Sequence, residues 1–306
     1  MNSKPNMIAI EPTNNCNLNC PYCLIGMYDK LPDASHQHLQ RPKGFMDLSL
    51  YKKVIMEAVY FGVQWVHLQF QGESLLHPEF NVMVKIAKQA GLNTHVYTNG
   101  LLITDNFANR LVESGLDSMS FSIDGASEET YSKTKGSGNF EKVIQNLKTM
   151  KEAAINSNLY LTWQLLVTRY NENEVEKARK LADEIGVHFY IKKLCVTDVD
   201  LVPKNKEYIR QLRSKPCKDI YRRLLICWNG DVIPCIFDTE ANYIVGNVAN
   251  QSLCDIWNND IFLDIRGRID RSRFSPQDEP EFCKKCLRWG FDQFSTSNGS
   301  HSWAGS

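Results

Sequence analysis

The chain has 306 residues, 43% of them hydrophobic, which suffices for one large domain or for a domain of about 200 residues with a smaller one. Lysine and arginine total 35, as do aspartate and glutamate, so the formal net charge is zero and no basic patch favours nucleic acid as a partner. The apolar runs are too short to span a bilayer, and the first residues lack the apolar stretch of a secretion signal. We therefore predict a cytoplasmic protein without membrane contact.

The first 192 residues alternate strand-like and helix-like segments. Strands are predicted at residues 7–11, 65–70, 93–98, 118–123, 159–167 and 187–192. Helices are predicted at residues 49–61, 78–90, 105–114, 140–154 and 172–185. Repeated βα units of this kind predict an α/β fold with a parallel sheet, open or partly closed into a barrel. Ligands of such folds gather at the carboxyl ends of the strands.

After residue 192 the pattern changes. Residues 193–216 are polar and irregular, as in a linker, and residues 217–290 form the predicted second domain. That domain opens on a hairpin around Asn229 and Gly230, and a short helix begins after Ser252, with Asp255 completing a capping box. Residues 291–306 are rich in serine and glycine, so we expect a disordered tail.

Ten cysteines are the most informative feature of the composition, because clustered cysteines in a reducing cytosol bind metal more often than they form disulfides. Cys16, Cys20 and Cys23 follow the first predicted strand directly. Structural zinc sites nearly always have four ligands, and this group has three. The spacing, with Tyr22 before the last cysteine, resembles the CxxxCxxC signature of the radical S-adenosylmethionine (SAM) superfamily. The resemblance implies a [4Fe-4S] cluster with one open iron that binds SAM.

Three further segments, each at the end of a predicted strand, strengthen this resemblance. Gln71, Gly72 and Glu73 stand where the superfamily usually has Gly-Gly-Glu, which implies that Glu73 accepts the SAM amino group; Gln71 departs from that pattern. The other cofactor-binding residues that the resemblance implies are Tyr22, Asn99, Ser120, Ser122 and Asp124. Taken singly, these segments are also compatible with ordinary turns or a helix cap. Together they imply a partial (β/α)6 barrel over residues 7–192.

A second cysteine group consists of Cys217, Cys235, Cys283 and Cys286. Four thiolates can close either a zinc site or a fully ligated [4Fe-4S] cluster, and spacing alone does not decide between them. The surrounding sequence resembles the twitch domain, a shortened SPASM domain that follows radical SAM barrels. Because the further cysteines of a full SPASM domain are missing, the resemblance implies one auxiliary [4Fe-4S] cluster.

The remaining candidates carry weaker signals. Cys254 lies in the first turn of a predicted helix, where the dipole favours a thiolate, and could donate a hydrogen atom to a substrate radical. Cys227 is expected to pack in the core, and Cys195 to be a packed or idle thiol. His36 and His38 in the polar segment 27–45, and Asp238 and Glu240 after Cys235, are substrate-binding candidates or solvated loops.

Three functions remain open. The first is a radical SAM enzyme that abstracts hydrogen from a polar small molecule, as the resemblance to aminocyclitol dehydrogenases and aminoglycoside epimerases implies, with flavodoxin or ferredoxin as electron donor. Dehydrogenation and epimerisation are equally compatible with the sequence. The second is peptide modification, and the third a non-catalytic iron–sulfur sensor, against which the predicted SAM-binding segments argue.

Overall fold

The computed structural model describes residues 4–21, 23, 41–136, 139–193, 201–209, 217–272, 276–278 and 280–285. The strands are β1 (Met7–Ile10), β2 (Trp65–Leu68), β3 (Asn93–Thr98), β4 (Ser118–Ser122), β5 (Tyr160–Leu166), β6 (His188–Lys192), β7 (Arg223–Ile226), β8 (Asp231–Ile233) and β9 (Gly246–Asn247). The α-helices are α1 (Leu48–Phe61), α2 (Phe80–Gln89), α3 (Asp105–Glu113), α4 (Glu128–Lys135), α5 (Phe140–Ala153), α6 (Val175–Ile185), α7 (Leu253–Asn258), α8 (Asp260–Arg271) and α9 (Glu281–Lys285).

All nine described strands belong to one sheet, in the order β6-β5-β4-β3-β2-β1-β7-β8-β9. The pairs from β6 to β7 are parallel, and β7-β8-β9 is antiparallel. This confirms the predicted α/β fold with a mainly parallel sheet. The carboxyl ends of β1 to β6 therefore meet at one edge, where the candidate site residues lie.

The C-terminal region continues the barrel sheet. Strand β7 pairs with β1 in parallel, Met7 opposite Arg223 and Ile10 opposite Ile226. Without β7, β1 would be an edge strand with unpaired backbone groups. All four residues of β7 are buried, as expected for a strand covered on both faces.

Helix α1 illustrates how the sequence sets the boundaries of an element. The Asp47 carboxylate caps its N-terminus by accepting from the backbone of Ser49 and Leu50, and Gly62 ends the helix in the left-handed conformation. One face is buried against the sheet at helical spacing. The buried residues are Tyr51, Val54, Ile55, Ala58 and Phe61.

Three helices were not predicted, namely α4, α8 and the five-residue α9. Helix α4 has the sequence EETYSKTK and buries only Tyr131, Thr134 and Lys135, so it shows no apolar periodicity. The sequence features that favour this helix are the Ser127 cap, the acidic residues in its first turn and the lysines in its last turn. Helix α8 begins after the Asn259 cap and carries an apolar stripe that the sequence analysis overlooked.

Several predictions lie outside the described residues. They concern Tyr22, His36, His38, Cys195, Cys286 and the tail 291–306. Within the described residues, none of the helices combines the length and apolar character needed to cross a membrane.

Candidate active site

The three N-terminal cysteines lie on a loop at the carboxyl end of β1. The loop is fastened to the segment before α1, because Asn14 Nδ2 donates to Pro42 O at 2.9 Å and Asn14 Oδ1 accepts from Gly44 N at 2.9 Å. Cys16, Cys20 and Cys23 are each half-buried. Burial raises the pKa of Cys16 to about 12, and the neighbouring Glu73 and the other two cysteines add to this effect. The three thiols therefore share one region.

This donor set fits an iron–sulfur cluster with one open iron. All three ligands are thiols, the ligands that such clusters prefer, and they come from one short loop. Within the described ranges, no three His, Cys, Asp or Glu side chains converge to hold a single metal ion.

Glu73 is a buried carboxylate held by its surroundings. It accepts from Asn99 N at 2.7 Å, from Thr98 Oγ1 at 2.9 Å and from Leu75 N at 3.2 Å. Burial raises its pKa, and these hydrogen bonds oppose that rise because they stabilise the charged form. Its backbone N donates to Asn15 O at 2.7 Å, which joins the end of β2 to the cysteine loop.

Gly72 allows the segment after β2 to lie close to the backbone of the cysteine loop. It has a φ of +78°, and a Cβ there would lie 2.5 Å from Asn15 O and 2.6 Å from Thr13 O. Only glycine fits such a position. Asn99 adds a further link between the strand ends, since its Nδ2 donates to Asn17 Oδ1 at 2.8 Å. The structure thus brings the predicted residues Gly72, Glu73 and Asn99 against the cysteine loop.

Asp124 is paired with Lys135, a residue that the sequence analysis missed. Lys135 Nζ lies 2.6 Å from Asp124 Oδ2, and their side chains are 7% and 6% exposed. The other oxygen of Asp124 accepts from Leu166 N at 2.8 Å. Both oxygens of Asp124 thus bond within the protein, one of them to Lys135, and the contact with SAM predicted for Asp124 stays a prediction. The charge of Lys135 acts on Cys20 and Glu73, which places the ammonium group among the site residues.

A cavity of about 250 Å³ opens inside the barrel. Its uncharged polar wall consists of His67, Gln69, Gln71, Tyr97, Ser122 and Gln164. Its charged residues are Lys192 and Arg223, and its apolar residues are Met7, Ala9, Phe70 and Ile236. The predicted SAM-binding residues Gln71 and Ser122 thus share a wall with this cavity. Ser120, also predicted, is buried two residues before Ser122 on the same face of β4.

Two histidines form the interior of the barrel beside this cavity. The rings of His67 and His95 have centroids 5.0 Å apart, and both side chains are 5% exposed. Burial lowers the pKa of His95 to about 3 and that of His67 well below its usual value, the latter helped by His95 and Arg223. Both imidazoles are therefore neutral at physiological pH. Neither histidine was singled out from the sequence. The only signal there is that each occupies one of the alternate strand positions that face the inside of the barrel.

Three of the four C-terminal cysteines lie within the described residues. Cys217, Cys235 and Cys283 are half-buried, and Cys235 Sγ accepts from Phe237 N at 3.5 Å. The rings of Tyr243 and Phe282 meet at 5.0 Å, which brings the helix of Cys283 to the loop after Cys235. Ile236, next to Cys235, lines the cavity. Cys235 thus lies next to a cavity-lining residue, and the joining of Cys217, Cys235, Cys283 and Cys286 in one cluster site stays a prediction.

A buried ion pair that the sequence analysis missed lies at the carboxyl end of β1. Glu11, at the end of β1, receives both terminal nitrogens of Arg41, at 2.8 and 2.9 Å. Glu11 also accepts from Trp228 N at 3.1 Å and Gln71 N at 3.3 Å, and Arg41 Nε donates to Thr239 O at 3.1 Å. The pair joins the cysteine strand, the end of β2 and the C-terminal hairpin. In the sequence, the ion pair could have been suspected from Glu11, a charged residue at the end of an apolar strand.

The remaining candidates lie elsewhere. Cys254 is exposed on α7, which packs on the outside of the barrel against α1. The hydrogen-donor role predicted for it therefore finds no support in the described structure. Cys227 is fully buried beside Ala9 and Ile233, as predicted for a core cysteine. Asp238 is buried and accepts from Asn242 N and Tyr243 N at 2.9 Å, so it stabilises its own loop.

Comparison with known proteins agrees with this geometry. Residues 10–185 match the model of the Radical SAM superfamily, and residues 217–287 match SPASM, an iron-sulfur cluster-binding domain. A cofactor-modifying protein of tungsten-containing aldehyde ferredoxin oxidoreductase from Pyrococcus furiosus is 26% identical over 304 residues, covering 85% of this chain and 82% of that protein.

Two solved structures show the same fold. Streptococcus suis SuiB bound to S-adenosylmethionine has a TM-score of 0.71 at 17% identity, with 93% of this chain and 72% of SuiB covered. BtrN in complex with AdoMet and 2-DOIA has a TM-score of 0.58 at 20% identity, with 94% and 93% covered. Together with the cysteine loop and the parallel sheet, these matches show that the chain belongs to the radical SAM superfamily and carries a C-terminal SPASM domain.

Proposed function

We propose that this radical SAM enzyme removes a hydrogen atom from a small polar molecule held in the barrel cavity, and that the outcome is dehydrogenation. The observation that carries the proposal is the composition of the cavity wall. It includes Gln71 and Ser122 from the predicted SAM-binding segments and Ile236 next to Cys235. We place the substrate in this cavity, between the two predicted cluster sites.

The proposed cofactors follow from the two groups of cysteine ligands. Cys16, Cys20 and Cys23 would hold the cluster that binds SAM, and Cys217, Cys235, Cys283 and Cys286 one auxiliary cluster. When bound, these groups supply the 5′-deoxyadenosyl radical and an acceptor for one electron. An external donor such as flavodoxin or ferredoxin would provide the reducing electron.

The protein itself would bind and orient SAM through two buried charges. The carboxylate of Glu73 is fixed by three donors and can accept the SAM ammonium group. Lys135 is fixed by Asp124 and can pair with the SAM carboxylate. Both residues are almost fully buried, so their charges act in a medium that screens them less than water does.

The described cavity wall favours dehydrogenation over epimerisation. Oxidation of a carbinol removes one hydrogen atom, one proton and one electron, whereas epimerisation needs a hydrogen atom returned from the opposite face. Cys254, the predicted donor, is exposed outside the barrel. His67 lines the cavity as a neutral imidazole, which can accept a hydrogen bond from a substrate hydroxyl.

The test is a product analysis in D2O. The anaerobic holoenzyme is reduced with dithionite and incubated with SAM and candidate substrates, and 5′-deoxyadenosine and substrate products are measured. A new carbonyl without deuterium at carbon supports dehydrogenation. Deuterium incorporated at carbon shows epimerisation instead, and a modified peptide with no change in any small molecule shows peptide modification. No 5′-deoxyadenosine under any condition contradicts enzymatic SAM cleavage.

A further inference from the structure

Two imidazole nitrogens inside the barrel have no hydrogen-bond partner within the described part of the chain. They are Nδ1 of His67 and Nε2 of His95. The two residues lie opposite each other on β2 and β3, their ring centroids are 5.0 Å apart, and each residue is 5% exposed. Buried polar side chains in native proteins are nearly always hydrogen-bonded. The pair therefore marks a place for a further polar group, which a ligand or a water molecule can supply.

His67 connects this pair to the cavity, because it is one of the lining residues. His95 Nδ1 lies 2.5 Å from Ser118 Oγ, which orients its ring and leaves Nε2 as the other polar atom. A neutral imidazole has one donor and one acceptor nitrogen. A hydroxyl group also donates and accepts, so it can pair with either nitrogen in either tautomer. The nitrogens without partners are thus suited to a hydroxyl group.

Other polar residues of the cavity wall have the same dual character. Gln71 and Gln164 contribute carboxamide groups, and Ser122 contributes a hydroxyl group. Each of these groups is uncharged and can both donate and accept a hydrogen bond. Met7 and Phe70 add apolar contacts for the C–H bonds of a carbon skeleton. A wall of this composition matches a molecule that carries several hydroxyl groups on a compact carbon frame.

The wall is less suited to a charged molecule. Among the lining residues that the structure describes, none is aspartate or glutamate, so an ammonium group would find no carboxylate there. The two lining cations already have partners. Arg223 Nη2 lies 3.1 Å from Asp219 Oδ2, and Lys192 interacts with other groups of the protein. A substrate carboxylate would have to compete for these cations, and burial of a charge without its own partner is unfavourable.

We propose that the substrate is an uncharged polyhydroxy compound, a sugar or cyclitol without amine or acid groups, and that one of its hydroxyl groups binds the His67–His95 pair. The cavity volume of about 250 Å³ lies just below the usual range for drug-sized ligands, so a single six-membered ring fits. This proposal rests on the proposed function and makes its substrate class specific. It differs from the aminocyclitols to which the sequence resemblance pointed, because those carry amines.

Ligand binding tests the proposal without turnover. The melting temperature of the anaerobic holoenzyme with SAM is measured with glucose, glucosamine and glucuronate, which share a hexose ring and differ in charge. A second set, myo-inositol and cyclohexanol, shares a six-membered carbon ring and differs in the number of hydroxyl groups. Calorimetry then gives the affinity of each stabilising probe. We expect glucose or myo-inositol to bind at least about tenfold more tightly than the charged probes and cyclohexanol.

Variants then locate the bound hydroxyl group. His67→Phe keeps a ring in the wall but removes both nitrogens. We expect it to bind the neutral probe about tenfold more weakly, because a buried hydroxyl group loses its partner. His95→Phe should weaken binding in the same direction. Met7→Leu is the matched control, since it changes the same wall without removing a hydrogen bond, and it should reduce the affinity less than His67→Phe does.

Three results would overturn the proposal. They are equal or tighter binding of a charged probe, no binding of glucose or myo-inositol, and unchanged affinity for the neutral probe in a folded His67→Phe variant. If that variant does not fold, the comparison of neutral with charged probes in the wild type decides. Formation of 5′-deoxyadenosine, measured on the same holoenzyme, separates the two failures. SAM cleavage without preference for neutral probes rejects only the substrate class, whereas no SAM cleavage rejects the proposed function.

Discussion

Lys135 and Asp124 form a buried ion pair, with Nζ 2.6 Å from Oδ2, between the last residue of α4 and the segment after β4. The charge of Lys135 is felt at Cys20 and at Glu73, which lie on two other segments. The pair therefore places one positive charge where the cysteine loop and the ends of β2 and β4 meet. This position is the basis of the proposed pairing of Lys135 with the SAM carboxylate.

Replacement of Lys135 separates its structural role from its binding role. Lys135→Met leaves Asp124 buried and unpaired, so we expect the free energy of unfolding to fall by about 3–5 kcal/mol. Adding Asp124→Asn should restore much of that stability, as urea denaturation would show. SAM affinity, measured by calorimetry on the holoenzyme, should stay at least about tenfold weaker in both variants. Wild-type SAM affinity in a folded Lys135→Met variant would exclude the binding role.

Gly72 and Gly62 provide a matched pair of glycine substitutions. Both have positive φ, +78° and +85°, but a Cβ at Gly62 meets nothing within 4 Å, whereas one at Gly72 overlaps the backbone of the cysteine loop. Gly62→Ala should cost only the backbone strain, about 1–2 kcal/mol. Gly72→Ala should cost more and also reduce the iron content after reconstitution. Equal effects on stability and iron content would show that the close approach does not hold the loop.

The framework of the fold could be predicted because its signals are local. Strands β1 to β6 appear as apolar runs, and the helices between them are amphipathic, with boundaries such as Asp47 and Gly62 that follow capping rules. Helix α4 lacks an apolar stripe, so it was missed, and with it Lys135. The pairing of β7 with β1 joins residues more than 200 positions apart, which no local pattern reports.

The site was predicted in part for a similar reason. The cysteines, Gly72, Glu73 and Asn99 belong to continuous motifs and could be named from the sequence. The residues of the cavity interior could not, because His67 and Arg223 come from different strands and acquire their roles only when the sheet closes. Cys254 shows a different limit, since a position at a helix N-terminus does not reveal which way the helix faces, and the structure leaves this thiol exposed on α7.

The contrast between Cys254 and Cys227 can be measured by thiol labelling. Cys254 is exposed and Cys227 is fully buried, so iodoacetamide should modify Cys254 first in the native chain. Mass spectrometry of peptides taken over time gives the order. Because Cys254 lies outside the barrel, Cys254→Ala should leave 5′-deoxyadenosine formation and product identity unchanged. Loss of product with intact SAM cleavage in that variant would restore its hydrogen-donor role.

The buried histidines predict a specific loss of stability in acid. The pKa of His95 is lowered to about 3, against about 6.5 in an unfolded chain, so below pH 6.5 the unfolded state binds a proton that the folded state does not. The stability that His95 contributes is therefore fully present above pH 6.5 and is lost as the pH drops towards 3. At pH 5 the loss from His95 alone is about 2 kcal/mol.

The control for this effect is His95→Gln, which removes the titrating group. Urea denaturation of the metal-free chain at pH 7.5 and pH 5 should show a difference about 2 kcal/mol smaller in the variant than in the wild type. The same pH dependence in both proteins would mean that His95 is not held neutral in the folded state.

The most direct test of the two-cluster site is the iron and sulfide content of anaerobically reconstituted protein. The wild type should contain about eight iron and eight sulfide per chain, and Cys16/Cys20/Cys23→Ala about four of each. Cys217/Cys235/Cys283/Cys286→Ala should likewise contain about four, and it should still bind SAM. About four in the wild type and none in the first variant would contradict the account, because the C-terminal cysteines would then hold no cluster beside the cavity.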